Sequence, residues 1–338
     1  MNNNLPLVSI VIPVYNREEL INDAIRSSCA QTYKNIEIVI VDNHSKDNTW
    51  QVVQNWARMD SRIRVFQNET NLGPVRNWDR CFNEAKGEYI KILWSDDWME
   101  ETFIEEAMKR MDDNTAFVMS ATNVVKSNED VILSYSFKHE IITCQFYLNE
   151  MLFVRGFNFP VSPGCALFRT KDVIESLIIS VPNHDGLDSS LNGAGNDLLL
   201  FLQIALKYQE IHIIPKVSNF FRAHDGSISI CSNIGNYYEW ARLFFVESVI
   251  KDYSKLPIIK YWSKKQYYNT ITNYLQSYTD LTISYIKFWC LINSNKYNEE
   301  EINLLLDHLS LTRFIYLFIL VITNKTRRKL SLIKQIKK

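Results

Sequence analysis

Four short runs rich in β-branched residues, "LVSIVIPVY" (7–15), "IEIVIVDN" (36–43), "RIRVFQN" (62–68) and "EYIKILW" (88–94), punctuate the N-terminal part of this chain. The first, second and fourth are almost continuously apolar, the pattern of parallel strands covered on both faces. Between them, 17–31, 45–59 and 74–85 carry helical spacing; Leu20, Ile21, Ala24 and Ile25 make one apolar stripe in the first, and Ser45 or Asp47 stands where a cap for the second belongs. Strand, helix and strand repeated in this way predict a doubly wound α/β unit with right-handed crossovers, because parallel neighbours need a crossover and helices must cover the faces. Downstream, 101–111 reads as helix, 116–125 as strand, 195–207 as helix and 210–215 as strand, while 126–192 is less regular. Residues 236–322 carry Tyr, Phe and Leu at spacings of three and four, so the expected boundary lies near 235, with an α/β unit over 1–235 and a helical region over 236–338.

Composition narrows the partners. With 37 basic and 38 acidic residues among 338, a net charge of −1 offers no broad field for nucleic acid, and no nucleic-acid partner is expected. The six cysteines include no C-x-x-C pair, and the polar start "MNNNLPLVS" lacks the charged-then-apolar pattern of a secretory leader, so reduced thiols and a cytoplasmic location are expected. No apolar run reaches the roughly 18 residues that a membrane span needs; "FIYLFILVI" (314–322) is about half that length. Behind it come Lys325, Arg327, Arg328, Lys329, Lys334, Lys337 and Lys338 with no acid among them. Such a tail suits the surface of an anionic membrane, at on the order of 1 kcal/mol per cation near the lipid; a core helix with a solvated tail is the alternative.

In a doubly wound sheet, ligands gather at the carboxyl ends of the strands. The residues expected there are Tyr15 and Asn16, Asp42 and Asn43, Asn68 and Asn71, and Asp96 and Asp97, all of them polar or hydrogen-bonding. The sheet invites a nucleotide, yet "PVYNREEL" (13–20) holds no glycine where a G-x-G-x-x-G would lie, and there is no P-loop. A phosphate-bearing ligand then calls for a cation in place of cradling backbone. Asp96 and Asp97, at roughly 5 Å and an effective dielectric of about 20, would repel by about 3 kcal/mol, which asks for a cation or a proton. Mg²⁺ or Mn²⁺ takes one or two carboxylates and completes its shell with phosphates and water. The alternative is that Asp97 caps a helix begun by "WMEETFIEEA".

Taken together, "VSIVIPVYN", "IEIVIVDNHSKDNT", "NLGPVRNWDRCFNEAKGEYI", "WSDDW", "GND" and "FRAHDGSIS" stand in the order and spacing of family 2 glycosyltransferases with the GT-A fold. The resemblance covers roughly residues 7–230 and is closest to bacterial members that build O-antigen or capsule repeats. It implies a Rossmann-like, mostly parallel sheet and an inverting, metal-dependent transfer from a nucleotide sugar, with a UDP-hexose as the expected donor. By position it implies that Tyr15 and Asp42 hold the base, that Pro13 shapes the same wall, and that Arg76 lies near the diphosphate. It likewise implies Asp96 toward ribose, Asp97 and His224 toward Mn²⁺ or Mg²⁺, and Asp197 as catalytic base. With the basic C-terminus it implies a polyprenyl-diphosphate-linked acceptor and a peripheral position on the cytoplasmic face of the inner membrane.

The chemistry agrees with such roles. A single in-line displacement at an anomeric carbon needs one carboxylate to accept the attacking hydroxyl's proton and one electrophile to stabilise the departing diphosphate. Asp197 opens a predicted helix, whose dipole is expected to hold its pKa low; an N-cap is the other reading. Three positions depart from the family pattern: Trp94 stands where an acid is frequent, Asn43 where a second Asp is, and Asn196 where a Glu is. Of the other tryptophans, Trp78 reads as structural, and Trp98 as structural or as a sugar-stacking face. A non-catalytic nucleotide-sugar-binding protein on the same sheet is the alternative function. A sugar-phosphate nucleotidyltransferase is disfavoured because "PVYNREEL" lacks the glycine and lysine its loop would carry.

Overall fold

The computed structural model describes residues 5–126, 130–153, 159–183, 186–224 and 235–253. The expected alternation is present: β1 (Val8–Val14), α1 (Ile21–Cys29), β2 (Ile36–Asp42), α2 (Thr49–Met59), β3 (Ile63–Gln67), α3 (Pro74–Glu84) and β4 (Tyr89–Ile92) follow one another. After them come β5 (Trp98–Met99), α4 (Phe103–Met108), β6 (Thr115–Val125), β7 (Val131–Tyr135), β8 (Ile141–Thr143) and α5 (Cys144–Phe153). β9 (Ala166–Arg169), α6 (Thr170–Ser176), α7 (Asn196–Ala205), β10 (Glu210–Arg222) and α8 (Gly235–Tyr253) complete the described elements.

The strands join one sheet in the order β3-β2-β1-β4-β9-β6-β10-β5, with β7 on β6 and β8 on β10. Parallel register sets Val8 opposite Ile36 on one side and opposite Tyr89 on the other, which aligns the carboxyl ends of β1, β2 and β4. β9 runs antiparallel to both β4 and β6, so the sheet is mixed beyond its parallel half. Val8, Ile10, Ile12 and Val14 alternate onto the face that packs with Ile21, Ala24 and Ile25 of α1 and Val53 of α2. The opposite face also holds polar groups in its interior: Ser9 donates to Glu37 at 2.6 Å, and Arg64 reaches the same carboxylate at 2.8 Å, which satisfies a buried acid that would otherwise be costly.

Three differences from the sequence reading shape the site. β10 does not stop at Pro215 but runs to Arg222, because register shifts between Ile214 and Val217 absorb the residue that cannot donate to the ladder. Asp97 is not a helix cap: β5 follows it directly, and α4 begins at Phe103 behind Thr102. The compact unit that carries the sheet extends to Asp252, so α8, assigned from sequence to the C-terminal region, belongs with the sheet. Among the described residues, no helix is long and apolar enough to cross a membrane. The apolar run 314–322 and the basic tail lie outside the described residues.

Candidate functional site

The turn after β4 closes with the Asp97 amide donating to the Trp94 carbonyl at 3.1 Å, which sets two carboxylates side by side. Asp96 Oδ2 lies 2.9 Å from His224 Nε2 and 3.5 Å from Arg17 Nε. Burial opposes its ionisation, but the His224 hydrogen bond and the Arg17 charge outweigh that and hold its pKa below the ordinary value. Asp97 is only 5% exposed and its Oδ1 accepts from the Arg222 backbone amide at 2.8 Å. Burial first, then the charge of Asp96, push its pKa well above the carboxylate range. The two neighbours are therefore driven apart, Asp96 toward the anion and Asp97 toward the protonated acid.

β10 is what delivers these partners: Arg222 is its last residue and His224 follows two places on. The Arg222 guanidinium pairs with Asp23 at 2.8 Å and lies 4.8 Å from the Trp98 ring, which in turn stacks on Phe220 at 5.2 Å. Trp98 is thus held by packing, as its structural reading expects. Beneath the pair, Lys91 is fully buried in β4; its Nζ donates to Asn219 Oδ1 at 2.7 Å and to the Gly164 carbonyl, and burial lowers its pKa to about 7. The sequence reading missed Lys91, although a lone charge inside "EYIKILW" was the available signal.

At the neighbouring strand ends, Asn16 (φ 51°) and His44 (φ 63°) take the left-handed conformation and turn the β1 and β2 loops toward each other. Asn16 donates its amide to Ser45 Oγ at 2.9 Å and accepts from the Lys46 amide at 2.8 Å. Asp42 is buried and its carboxylate accepts from the Ser45 hydroxyl, from the Ser45 amide at 3.2 Å and from Gln67 at 2.8 Å. Tyr15 is exposed, at 39%, as are Lys46 and Gln67. Pro13 is buried within β1 opposite Val41. Asn43, Asn68, Asn71 and Asn77 hydrogen-bond one another at 2.8–3.0 Å. The Asn43 amide also donates to the Gly73 carbonyl, a bond an aspartate could not make, so this departure serves the loop that starts α3. Arg76, exposed in the first turn of α3, reaches Ser190 Oγ at 3.2 Å.

Trp94 packs against Trp78 at 4.8 Å between ring centroids and donates its indole N–H to Ser162 at 2.7 Å. Trp78 in turn sits against Gly193, where an added Cβ would meet the ring at 2.1 Å, and the Gly193 carbonyl receives the Asp197 amide. The indole pair therefore links the carboxylate turn to the start of α7.

Asp197 lies in the first turn of α7, behind an N-cap at Gly195. Its Oδ1 accepts from the Gly195 amide at 3.0 Å and the Leu198 amide at 2.7 Å, and its Oδ2 from the Tyr238 hydroxyl at 2.8 Å. The low pKa expected from the helix dipole is not what the structure produces: burial outweighs all these donors and raises the carboxyl to about 7. Asn196 is held by its amide to the carbonyls of Ile178 and Ile179, again donor chemistry that a Glu would lack. Tyr238 comes from α8, in a stretch so rich in tyrosine that no pattern distinguished it.

The family model described as "Glycosyl transferase family 2" matches residues 9–177, half of the chain. An uncharacterized glycosyltransferase of Haemophilus influenzae is 36% identical over 108 residues, 32% of this chain and 43% of that protein. The UDP-Glc:alpha-D-GlcNAc-diphosphoundecaprenol beta-1,3-glucosyltransferase WfaP of Escherichia coli is 31% identical over 166 residues, 46% of this chain and 65% of that protein. The GalNAc(5)-diNAcBac-PP-undecaprenol beta-1,3-glucosyltransferase of Campylobacter jejuni is 33% identical over 115 residues, 34% of this chain and 37% of that protein. Each alignment spans less than two thirds of the relative. Residues 1–349 of S. aureus TarS, solved in complex with UDP-GlcNAc, superpose with a TM-score of 0.62 at 18% identity, over 84% of this chain and 80% of that one, a likeness of fold. The chain belongs to glycosyl transferase family 2, on the GT-A fold.

Proposed function

We propose that the protein is an inverting, metal-dependent glycosyltransferase that moves a sugar, expected to be a hexose, from a UDP-sugar to a polyprenyl-diphosphate-linked saccharide in O-antigen or other surface-polysaccharide synthesis. One observation carries the reading: the chain holds two distinct acid centres, a carboxylate pair faced by Arg17 and His224 and a lone carboxylate poised near neutrality. That is the division an in-line displacement requires, with charge stabilisation on the donor side and a base for the acceptor. The donor class is taken from the name of the E. coli relative, which carries UDP-Glc, and the acceptor class from the names of the E. coli and C. jejuni relatives, which carry diphosphoundecaprenol and PP-undecaprenol saccharides.

In this reading Tyr15 and Asp42 receive the base, with Pro13 behind them; Arg76 lies toward the diphosphate and Asp96 toward the ribose. Asp97 and His224 would hold Mn²⁺ or Mg²⁺, which when bound supplies a Lewis acid for the leaving diphosphate. Asp97 suits such an ion as a buried carboxyl whose charge is disfavoured by Asp96, since a cation relieves that penalty as a proton does, while His224 Nε2 sits on Asp96 Oδ2 beside it. Among the described residues no group of three or more His, Cys, Asp or Glu is arranged to hold a metal ion, so donor phosphates and water would complete the shell. Asp197 accepts the acceptor hydroxyl's proton while that oxygen bonds to the anomeric carbon, and the bond to the diphosphate oxygen breaks with its electron pair, which inverts the configuration.

The test is transfer from UDP-sugars to a lipid-linked acceptor with Mn²⁺, lost on chelation and restored by the metal. Donor binding with no turnover under any metal would instead identify a binding protein. Membrane attachment through the basic tail belongs to the same proposal, on the cytoplasmic face of the inner membrane. Deleting residues 323–338 is expected to release the protein from anionic vesicles without lowering its Tm, and unchanged vesicle binding would remove the tail from the account.

A further inference from the structure

We propose that Tyr238 is a positioning residue for the catalytic base, and that the atom of Asp197 that takes the acceptor's proton is Oδ2. The inference rests on the reading of Asp197 as that base. A carboxylate has about four lone-pair directions. Two backbone amides, of Gly195 and Leu198, occupy Oδ1 at 3.0 and 2.7 Å, and both belong to the turn that starts α7. The Tyr238 hydroxyl occupies one direction of Oδ2 at 2.8 Å. In the hydrogen bonds described, Oδ1 carries two donors and Oδ2 one, so Oδ2 is the oxygen with a direction left for an incoming hydroxyl.

The arrangement also spans two elements that are far apart in sequence, α7 and α8, so the carboxyl plane is set from both sides. As the acceptor oxygen bonds to the anomeric carbon, its proton passes to Oδ2, and the bond from that carbon to the diphosphate oxygen breaks with its electron pair. Throughout, Tyr238 keeps its own proton: burial, with Asp197 beside it, raises the phenol far above its ordinary pKa. It therefore donates at every working pH and favours the ionised base. Burial has already raised Asp197 to about 7, so this one donor bears directly on how much base is present near neutrality.

Other titratable or charged groups face the same place. Tyr147 on α5, buried with no hydrogen-bond partner for its hydroxyl among the described residues, lies in the field of Asp197. Arg242 on α8 and Tyr135 on β7 act on Tyr238 itself. None of these donates to Asp197 in the hydrogen bonds described, so Tyr238 is the side chain whose removal isolates the effect.

The experiment is a donor-strength series at one position, read in the pH profile of kcat/KM for transfer. Tyr238→Phe removes the donor and is expected to move the acid limb up by about one pH unit: about eightfold slower than the parent at pH 6.5, and within about twofold at pH 9.5. Tyr238→3-fluorotyrosine, a stronger donor of nearly the same shape, is expected to move the limb the other way. A pH-independent loss in Tyr238→Phe with the limb unmoved, or no opposite shift in the fluorinated protein, overturns the proposal. Asp197→Asn measured alongside keeps the two readings apart. Full transfer by Asp197→Asn removes the base assignment itself, whereas its inactivity with an unmoved limb in the Tyr238 series removes Tyr238 alone. If Tyr238→Phe does not fold, the fluorinated protein carries the test.

Discussion

Asp197→Asn lowers kcat by at least about 10³-fold while leaving UDP-sugar affinity within about threefold, as expected when a general base is removed and the donor site is untouched. The amide keeps an oxygen for the Gly195 and Leu198 amides and offers Tyr238 an N–H, so the first turn of α7 stays in place. Single-turnover transfer and donor binding by calorimetry separate the two quantities, and a parallel loss of donor affinity would refute the base assignment. The pH profile of the unsubstituted protein should share the signature. A base raised to about 7 is protonated at low pH, so kcat/KM climbs through that value to a plateau on the alkaline side.

Stability moves the opposite way. A carboxyl raised in the folded state contributes stability that is full below its unfolded value near 4 and is lost as pH rises through about 7. Asp197→Asn is therefore nearly neutral in stability below about pH 4, and by pH 8 it is stabilising by on the order of 2–4 kcal/mol. A site that is costly to keep ionised when empty is the usual exchange of stability for function.

Asp97→Asn carries the second large expected effect, a loss of about 10²–10³-fold in transfer together with loss of the Mn²⁺-dependent part of donor binding. The fold should tolerate it. Asp97 is already driven toward its neutral form by burial and by Asp96, and an amide oxygen still accepts from the Arg222 backbone. The comparison is donor titration with and without Mn²⁺: the metal strengthens binding in the parent and not in the variant. An unchanged metal effect would remove Asp97 from the ion. Asp96 is the poorer probe, since its replacement breaks the contacts to His224 and Arg17 and disturbs the fold as well as the chemistry.

The β1-to-β4 alternation was legible because it is written in local periodicity: each run is long enough to declare a strand, and each gap long enough for a helix. The cluster at the end of β4 was legible for a related reason, since strand ends in a parallel sheet must converge on one edge. Polarity alone misled at Asn43, Asn68 and Asn71, where side chains at the same edge satisfy one another and the loop before α3. At Pro215, a residue that argues for a strand end was absorbed by register shifts, and only the pairing of β10 with β6 could reveal it.

The identity of the acids, Asp96, Asp97 and Asp197, and their order along an α/β chain were set by the sequence itself, because strand and helix periods are local. Which of those acids carries a proton was decided by the tertiary structure. The helix dipole at Asp197 is a first-turn effect worth about 1 kcal/mol, and burial among α5, α7 and α8 opposes it with more. The same holds for the donor on that carboxylate: Tyr238 stands 41 residues away, and no local rule brings its hydroxyl to Oδ2, only the packing of α8 against the sheet unit.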